Sequence, residues 1–301
     1  MKLAVTGATG FVGSHLLEAA LAAGHEVTAL TRRDQAPRER VTWVAGDLDD
    51  RAALERLVSD ADAVIHVAGV ITGQTAAAFD KGNVHGTLAM LAAATAGGVR
   101  RFVHVSSLAA REPNLSLYGD SKARSEQLVM GSGLDWAVVR PPAVYGPGDK
   151  ETLELFRMAK MGVMLMPPRG RVSVIHADDL ARLLLAVAAP EVPSGVLIEA
   201  DDGKPGGWTH REFAKALGAA VGTRPAIVSS PGILLRLAAR ADQLFRREKA
   251  KLTVDRAAYF SHRNWVVEPK RAPPPGLWHP RIETTQGLKA TADWYRDAGW
   301  I

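Results

Sequence analysis

The feature that most constrains this chain is a glycine-punctuated turn near its beginning, Thr6-Gly7-Ala8-Thr9-Gly10-Phe11-Val12-Gly13. It lies between an apolar run at residues 3–6, which reads as a buried strand, and a segment with helical spacing through Leu16, Leu17 and Leu21. Each glycine has a role that a side chain would block. Gly7 permits the tight turn, Gly10 lets backbone approach an anion, and Gly13 lets the helix pack closely on the strand. The N–H groups of the helix's first turn then face a diphosphate. On this reading Gly7, Thr9, Gly10, Phe11 and Val12 cradle a dinucleotide. The other reading is a tight strand–helix connection with no ligand.

The rest of the first half supports the ligand. Short apolar runs at 27–30, 41–45, 63–67, 102–105 and 137–139 alternate with longer Ala/Leu-rich segments of helical spacing. Near-continuous apolar strands are buried on both faces, and parallel strands need helical crossovers. The expected fold is therefore α/β, a doubly wound parallel sheet of the Rossmann type. After Arg140 the alternation gives way to Pro/Gly-rich stretches around a short helix near residues 152–161. It returns as a strand–helix unit at 172–188 and a strand at 196–199. We expect a dinucleotide-binding domain of residues 1–150 plus about 172–200. A smaller substrate lobe, interleaved in sequence, takes 151–171 plus 201–301.

At the end of the second strand a carboxylate would hold the ribose hydroxyls of NAD(H), yet the chain reads Thr31-Arg32-Arg33. Two guanidiniums suit the 2′-phosphate of NADP(H), which this favours over NAD(H). A solvated basic loop is the plain alternative, and Asp34 offers NAD(H) a nearby carboxylate. Asp47-Leu48, after the third strand, reads as an adenine contact or as the N-cap of a helix over 49–58. Val67-Ala68-Gly69, after the fourth, reads as a close approach to the nicotinamide ribose or as an ordinary turn.

Tyr118 and Lys122 stand four apart in YGDSK, so they share a helix face. Ser107 ends the fifth strand in HVSS, on the sheet edge where open α/β folds bind ligands. An ordinary tyrosine, with pKa near 10, is a poor base at neutral pH. A neighbouring ammonium lowers that pKa, so Tyr118 with Lys122 can move a proton while Ser107 holds the oxygen of an alcohol or ketone. Ser106 competes for the serine role or contacts the cofactor. The bland alternative for the Tyr–Lys pair is a surface contact.

These segments resemble the extended branch of the short-chain dehydrogenase/reductase superfamily. Its epimerase/dehydratase-like members include dihydroflavonol and 3β-hydroxysteroid-type reductases. TGATGFVG, HVSS and YGDSK match in order, as do NVHGT around Asn83, RPPAVYGPGD at 140–149, VIHADDLA at 174–181 and the closing GLKATADWYRDAGWI. The resemblance implies that Asn83 belongs with the catalytic set and supports a water relay to Lys122. It implies that Pro141, Ala143 and Val144 line the nicotinamide, and that helices after the fourth and fifth strands can pair in a homodimer. Two departures stand out: no acid follows the second strand, and the 107–118 loop lacks the VYG element frequent in sugar-nucleotide epimerases.

The chain has no cysteine, which excludes disulfides and thiolate chemistry and fits a reducing compartment. Its 9 histidines fall at no metal-binding spacing, and a formal charge of +5 suits an anionic cofactor without suggesting nucleic acid. The opening apolar run is too short and glycine-rich for a signal or membrane span, so a cytoplasmic enzyme is expected. Residues 233–251 mix leucines with arginines, a pattern for a membrane-surface contact or for a helix packed on the lobe. Tryptophans 208, 265, 278, 294 and 300 serve either an apolar pocket or core packing. Three functions follow: a reductase or dehydrogenase on a small-molecule ketone or secondary alcohol, a sugar-nucleotide epimerase or dehydratase, and a non-catalytic dinucleotide-binding scaffold or sensor.

Overall fold

In the computed structural model, the structure describes residues 1–229 and 258–301, apart from 74, 168 and 260. The stretch at 233–251 therefore lies outside the described residues. Two compact units emerge: Met1–Pro141 with Ala177–Ala200 and Pro269–His279, and Pro142–His176 with Asp201–Glu268 and Pro280–Ile301.

The first unit is built on a parallel sheet. Its elements are β1 (Lys2–Thr6), α1 (Phe11–Ala22), β2 (Glu26–Thr31), β3 (Val41–Ala45), α2 (Arg51–Val58), β4 (Ala63–His66), α3 (Ala76–Phe79), α4 (Gly86–Ala96), β5 (Arg101–Val105), α5 (Leu117–Met130) and β6 (Asp135–Val139). A π-helical turn, Asp80–His85, joins α3 to α4. The second unit opens with β7 (Ala143–Tyr145), α6 (Leu153–Lys160), β8 (Val163–Met166), β9 (Arg171–Val172) and β10 (Val174–His176). The chain then returns to the first unit through α7 (Ala177–Ala188) and β11 (Val196–Ile198).

The sheet runs β11-β6-β5-β4-β1-β2-β3, every neighbouring pair parallel. Strand order reverses between β1 and β4, which opens the crevice where doubly wound folds bind ligands. Every residue of β4 and β5 is buried, His66, Arg101 and His104 among them, and the other positions are apolar. Helices cover both faces: α1 packs on α7, while α2, α4 and α5 close the other side over Leu54, Met90, Phe102 and Val129.

The second unit has its own core, in which Tyr145, Phe156, Phe213, Leu217, Leu288 and Tyr295 are buried. It adds β12 (Trp208–Thr209), α8 (His210–Val221), β13 (Ala226–Ser229), β14 (Asn264–Trp265) and α9 (Thr284–Asp297). Small sheets pair β10 with β7, β13 with β8, and β12 and β14 with β9. Thr209 and Glu212 form a capping box on α8, and Gly222 ends it at φ +84°. The tryptophans of this unit pack: Trp300 stacks on Tyr295, Trp294 lies edge-on to both, and Trp208 lies edge-on to Phe213. In the first unit Trp278 donates to the Asp179 carbonyl at 3.0 Å.

Candidate active site

The glycine turn has the geometry its spacing requires. Gly7 sits at φ +74°, and a Cβ there would lie 2.8 Å from the Ala68 nitrogen, so the ends of β1 and β4 touch across the strand-order reversal. A Cβ on Gly13 would fall 1.9 Å from the Gly7 carbonyl oxygen, and only glycine allows α1 to pack this closely. Gly10, by contrast, would meet only the Gly7 carbonyl, at 3.2 Å. Its other side is open, with Thr9 exposed and Phe11 and Val12 half-buried beside it. Gly10 caps α1 without a side-chain bond, which leaves the first-turn N–H groups for an anion.

A cavity of about 310 Å3 opens at the carboxyl ends of β2 and β3, lined by Thr31, Arg32, Arg33, Asp34, Gly46 and Asp47 among others. Among the described residues neither the Arg32 nor the Arg33 guanidinium has an ion-pair partner. Asp47 does not cap α2: Asp50 does, accepting from the Ala53 nitrogen at 3.0 Å, while Asp47 accepts from Asp49 within the preceding turn. The helix accordingly starts two residues later than the sequence pattern suggests. Leu48 turns inward and packs on the α2–α4 core. The glycine turn and this cavity both lie at the carboxyl edge of the sheet, and their free N–H groups and guanidiniums suit an anionic ligand.

At the centre of the sheet edge, α5 lies across the end of β5. Ser116 caps the helix through the Gly119 nitrogen, and a Cβ on Gly119 would lie 2.7 Å from the Ala109 carbonyl oxygen. One turn on, Lys122 reaches into the interior and donates to the Val105 carbonyl at 2.9 Å. Helix α5 thus touches the chain two residues before Ser107 and two residues after it. Tyr118 and Lys122 are brought to the strand end that carries Ser107. Ser107 is extended, half-buried, and caps a short 3-10 turn through the Ala109 nitrogen at 3.2 Å. The Tyr118 ring is half-buried beside Phe79 at 6.1 Å between centroids.

Lys122 is 4% exposed, and burial pulls its pKa from 10.5 to about 8 against the opposing pull of Glu126. It stays cationic at neutral pH. Asn83, from the π-helical turn, donates to the Val70 carbonyl at 2.9 Å and to Ser121 at 2.8 Å, and accepts from the Val70 nitrogen at 2.7 Å. It locks the loop after β4 to α5. A Cβ on Gly69 would lie 2.9 Å from the Asn83 Oδ1 and 3.2 Å from the Lys122 Nζ. Beneath them His66 and His104 stack between Thr6, Thr87 and Ser125. Burial first, then Lys122, pulls His66 down to about 3 and lowers His104 well below its usual value.

The remaining expected residues divide. Ser106 is buried and its hydroxyl donates to Glu126 at 2.5 Å, whereas Ser107, next along the extended chain, points the other way. Val67 and Ala68 are half-buried at the end of β4. Pro141 is buried, its carbonyl accepting from the Leu108 nitrogen at 3.0 Å. Ala143 and Val144 belong to β7 in the second unit, paired with Val174 and Ile175. Sequence reasoning missed Glu126, whose signal was its place four residues after Lys122, on the same helix face.

A parallel sheet reversing order beside a glycine-lined turn, with a buried lysine one helical turn from a tyrosine, defines a nucleotide-binding redox domain. Comparison with known proteins is specific. Residues 3–196 match the model of the NAD dependent epimerase/dehydratase family. A ceramide reductase of Caulobacter vibrioides is 38% identical across 99% of this chain and 96% of its own length. A 4-hydroxy-2-methyl-3-oxo-4-farnesyl-3,4-dihydroquinoline-1-oxide ketoreductase of Stigmatella aurantiaca is 31% identical over 68% of this chain and 69% of its own. Among solved structures, UDP-N-acetylglucosamine 4-epimerase of Bacillus cereus shares the fold at TM-score 0.74 and 19% identity, covering 98% of this chain and 96% of that one. UDP-glucose 4-epimerase of Thermus thermophilus, in complex with NAD, does so at 0.71 and 23%, covering 99% and 100%.

The chain belongs to the NAD dependent epimerase/dehydratase family, within the extended short-chain dehydrogenases/reductases. It is an NAD(P)-dependent oxidoreductase. Among the described residues no helix is long and apolar enough to cross a membrane.

Proposed function

We propose that this enzyme interconverts a ketone and a secondary alcohol on an apolar, long-chain substrate, with NADP(H) as redox partner. The observation that carries the reading is the buried Lys122 ammonium, held on the Val105 carbonyl at the strand end that bears Ser107, one helical turn from Tyr118. A buried ammonium costs stability, and on this reading the return is a positive charge one helical turn from Tyr118, which favours the phenolate.

In the reducing direction the Tyr118 hydroxyl gives its proton to the carbonyl oxygen, and the Ser107 hydroxyl donates a hydrogen bond to that oxygen as charge develops. The nicotinamide, when bound, supplies the hydride to the carbonyl carbon. Lys122 stays charged throughout and stabilises the tyrosinate left behind. Asn83 holds the Val70 loop and Ser121, which fixes the helix carrying both groups. Gly7, Thr9, Gly10, Phe11 and Val12 are assigned to the diphosphate, Arg32 and Arg33 to a 2′-phosphate, and Asp47 and Leu48 to the adenosine end. Val67, Ala68, Gly69, Ser106 and Pro141 are assigned to the nicotinamide side. The second unit is assigned the substrate.

The substrate class is supported by the relative named as a ceramide reductase, which matches over nearly the full length of both chains. An N-acylated long-chain amino alcohol contains the secondary hydroxyl that this chemistry makes or consumes. The test is nicotinamide absorbance with NADPH and a panel of ketones that includes an N-acylated 3-oxo long-chain base. Oxidation of NADPH in step with lipid alcohol formed supports the reading. Turnover of sugar nucleotides without net change in nicotinamide refutes it.

A further inference from the structure

Behind the proposed catalytic set lies a buried ionic network. The Glu126 side chain is 4% exposed and takes three hydrogen bonds: Ser106 Oγ and Arg140 Nε to its Oε1 at 2.5 and 2.8 Å, and Arg140 Nη2 to its Oε2 at 2.6 Å. Arg140 continues to Glu199 at 3.4 Å, a fully buried carboxylate that also meets Arg111 at 3.3 Å and Arg271 at 3.8 Å. A structural core has little need of such a cluster, since apolar residues of similar volume commonly serve stability as well or better.

Its placement gives a reason. Glu126 stands on α5 one turn beyond Lys122 and two turns beyond Tyr118. Ser106 immediately precedes Ser107, and Arg140 immediately precedes Pro141. One carboxylate therefore grips three segments: the helix with the proton-transfer pair, the strand end with the serine, and the start of the proline segment after β6. The backbone is tied at the same place, Ser106 N to the Val139 carbonyl at 2.7 Å and Leu108 N to that of Pro141 at 3.0 Å.

We propose that Glu126 is a positioning residue of the site, fixing the helix of Tyr118 and Lys122 against the strand end of Ser107. The other titratable groups around Lys122 are His66 on β4 and His104 on β5, both kept neutral by burial, and Tyr118 on α5. Glu126 is thus the only negative charge acting on Lys122 among the described residues that shift it. Arg140, bonded twice to Glu126 and reaching Glu199 only at 3.4 Å, is the cation that faces the same carboxylate.

The test compares wild type with Glu126→Gln, Glu126→Asp and Ser106→Ala. Lys122 is titrated by NMR on 13C-lysine-labelled protein, its resonance assigned by loss in Lys122→Met, alongside kcat, KM and NADP(H) affinity. In Glu126→Gln, which leaves Arg140 its bond to Glu199, the Lys122 midpoint falls by about one pH unit. kcat falls about tenfold or more while NADP(H) affinity stays within about threefold. Glu126→Asp restores the midpoint, and Ser106→Ala lowers kcat without moving it. An unmoved Lys122 midpoint in a folded Glu126→Gln protein, or kcat unchanged there, overturns the proposal. The assignment rests on the oxidoreductase reading only for its kinetic arm. A moved midpoint in proteins that turn over no ketone supports the coupling of Glu126 to Lys122 and condemns that reading instead.

Discussion

The Lys122 ammonium lies over the α-carbon of Gly69, 3.2 Å from where a methyl group would project, and the Asn83 carboxamide oxygen shares that space at 2.9 Å. The missing side chain of Gly69 is therefore the room in which lysine and asparagine converge. Gly69→Ala should push both groups aside while leaving the sheet intact. We expect kcat to fall about 10- to 100-fold, as for displacements near 1 Å at a reacting centre. Unchanged far-UV circular dichroism would accompany that loss. Wild-type kcat in Gly69→Ala would show that Lys122 has no such confinement.

Lys122 carries a stability cost that its removal should reveal. The unfolded chain keeps this proton up to about pH 10.5, whereas the native side chain loses it near 8. Between those values the unfolded state binds more protons, so the native state gains stability as pH rises, and below 8 the whole cost is present. The cost is about 3 kcal/mol on the scale of 1.4 kcal/mol per pKa unit. Lys122→Met should abolish turnover, raise the thermal midpoint at pH 7 and flatten the rise between pH 8 and 10.5. Thermal melts across that range decide it, and a lowered midpoint at pH 7 would contradict the assignment.

The stacked histidines predict the opposite limb. His66 and His104 are buried and neutral, and their native pKa values lie below 6.5, near 3 for His66. As pH falls below 6.5 the unfolded chain takes up protons that the native fold refuses, and stability is lost at up to about 2.7 kcal/mol per pH unit for two groups. Urea unfolding at pH 7 and pH 5 should show this loss, with a shallower slope in His66→Gln/His104→Gln. An equal slope in that variant would mean the acid sensitivity originates elsewhere.

The proposed preference for NADP(H) assigns cofactor choice to two side chains. Arg32→Ala/Arg33→Ala should weaken NADP(H) about 10- to 100-fold, since a hydrogen bond to a charged group contributes roughly 1.5–3 kcal/mol. NAD(H) affinity should stay within about threefold. Calorimetric titration of both cofactors reads this directly, and wild-type protein that binds NAD(H) ten times tighter than NADP(H) would reverse the preference.

Much of this architecture is legible in the chain itself, for a physical reason. Strands β4 and β5 are buried on both faces, so their sequences are apolar except at His66, Arg101 and His104, and Gly7, Gly10 and Gly13 mark places where a Cβ would strike backbone or block an approach. The short strands β9, β12 and β14 span two residues each, too few for any periodicity, and are defined by partners far along the chain. The π-helical turn that carries Asn83 has no local signature, and the partners that hold Asn83, Val70 and Ser121, lie outside it in the sequence. Asp50 rather than Asp47 caps α2, a choice among neighbouring acids that spacing cannot make. Glu126 reads as a helix-surface charge until β5 and β6 are seen to bring Ser106 and Arg140 to it.

The central claim is that Tyr118 delivers the proton as hydride reaches a carbonyl carbon. NADPH deuterated at its transferable position, a ketone substrate and mass analysis of the product alcohol test it most directly. Wild type should place one deuterium on the carbinol carbon, and Tyr118→Phe should bind NADPH with near-normal affinity yet transfer it at least about 1000-fold more slowly. Transfer by Tyr118→Phe at the wild-type rate, or product alcohol without deuterium, would contradict the account.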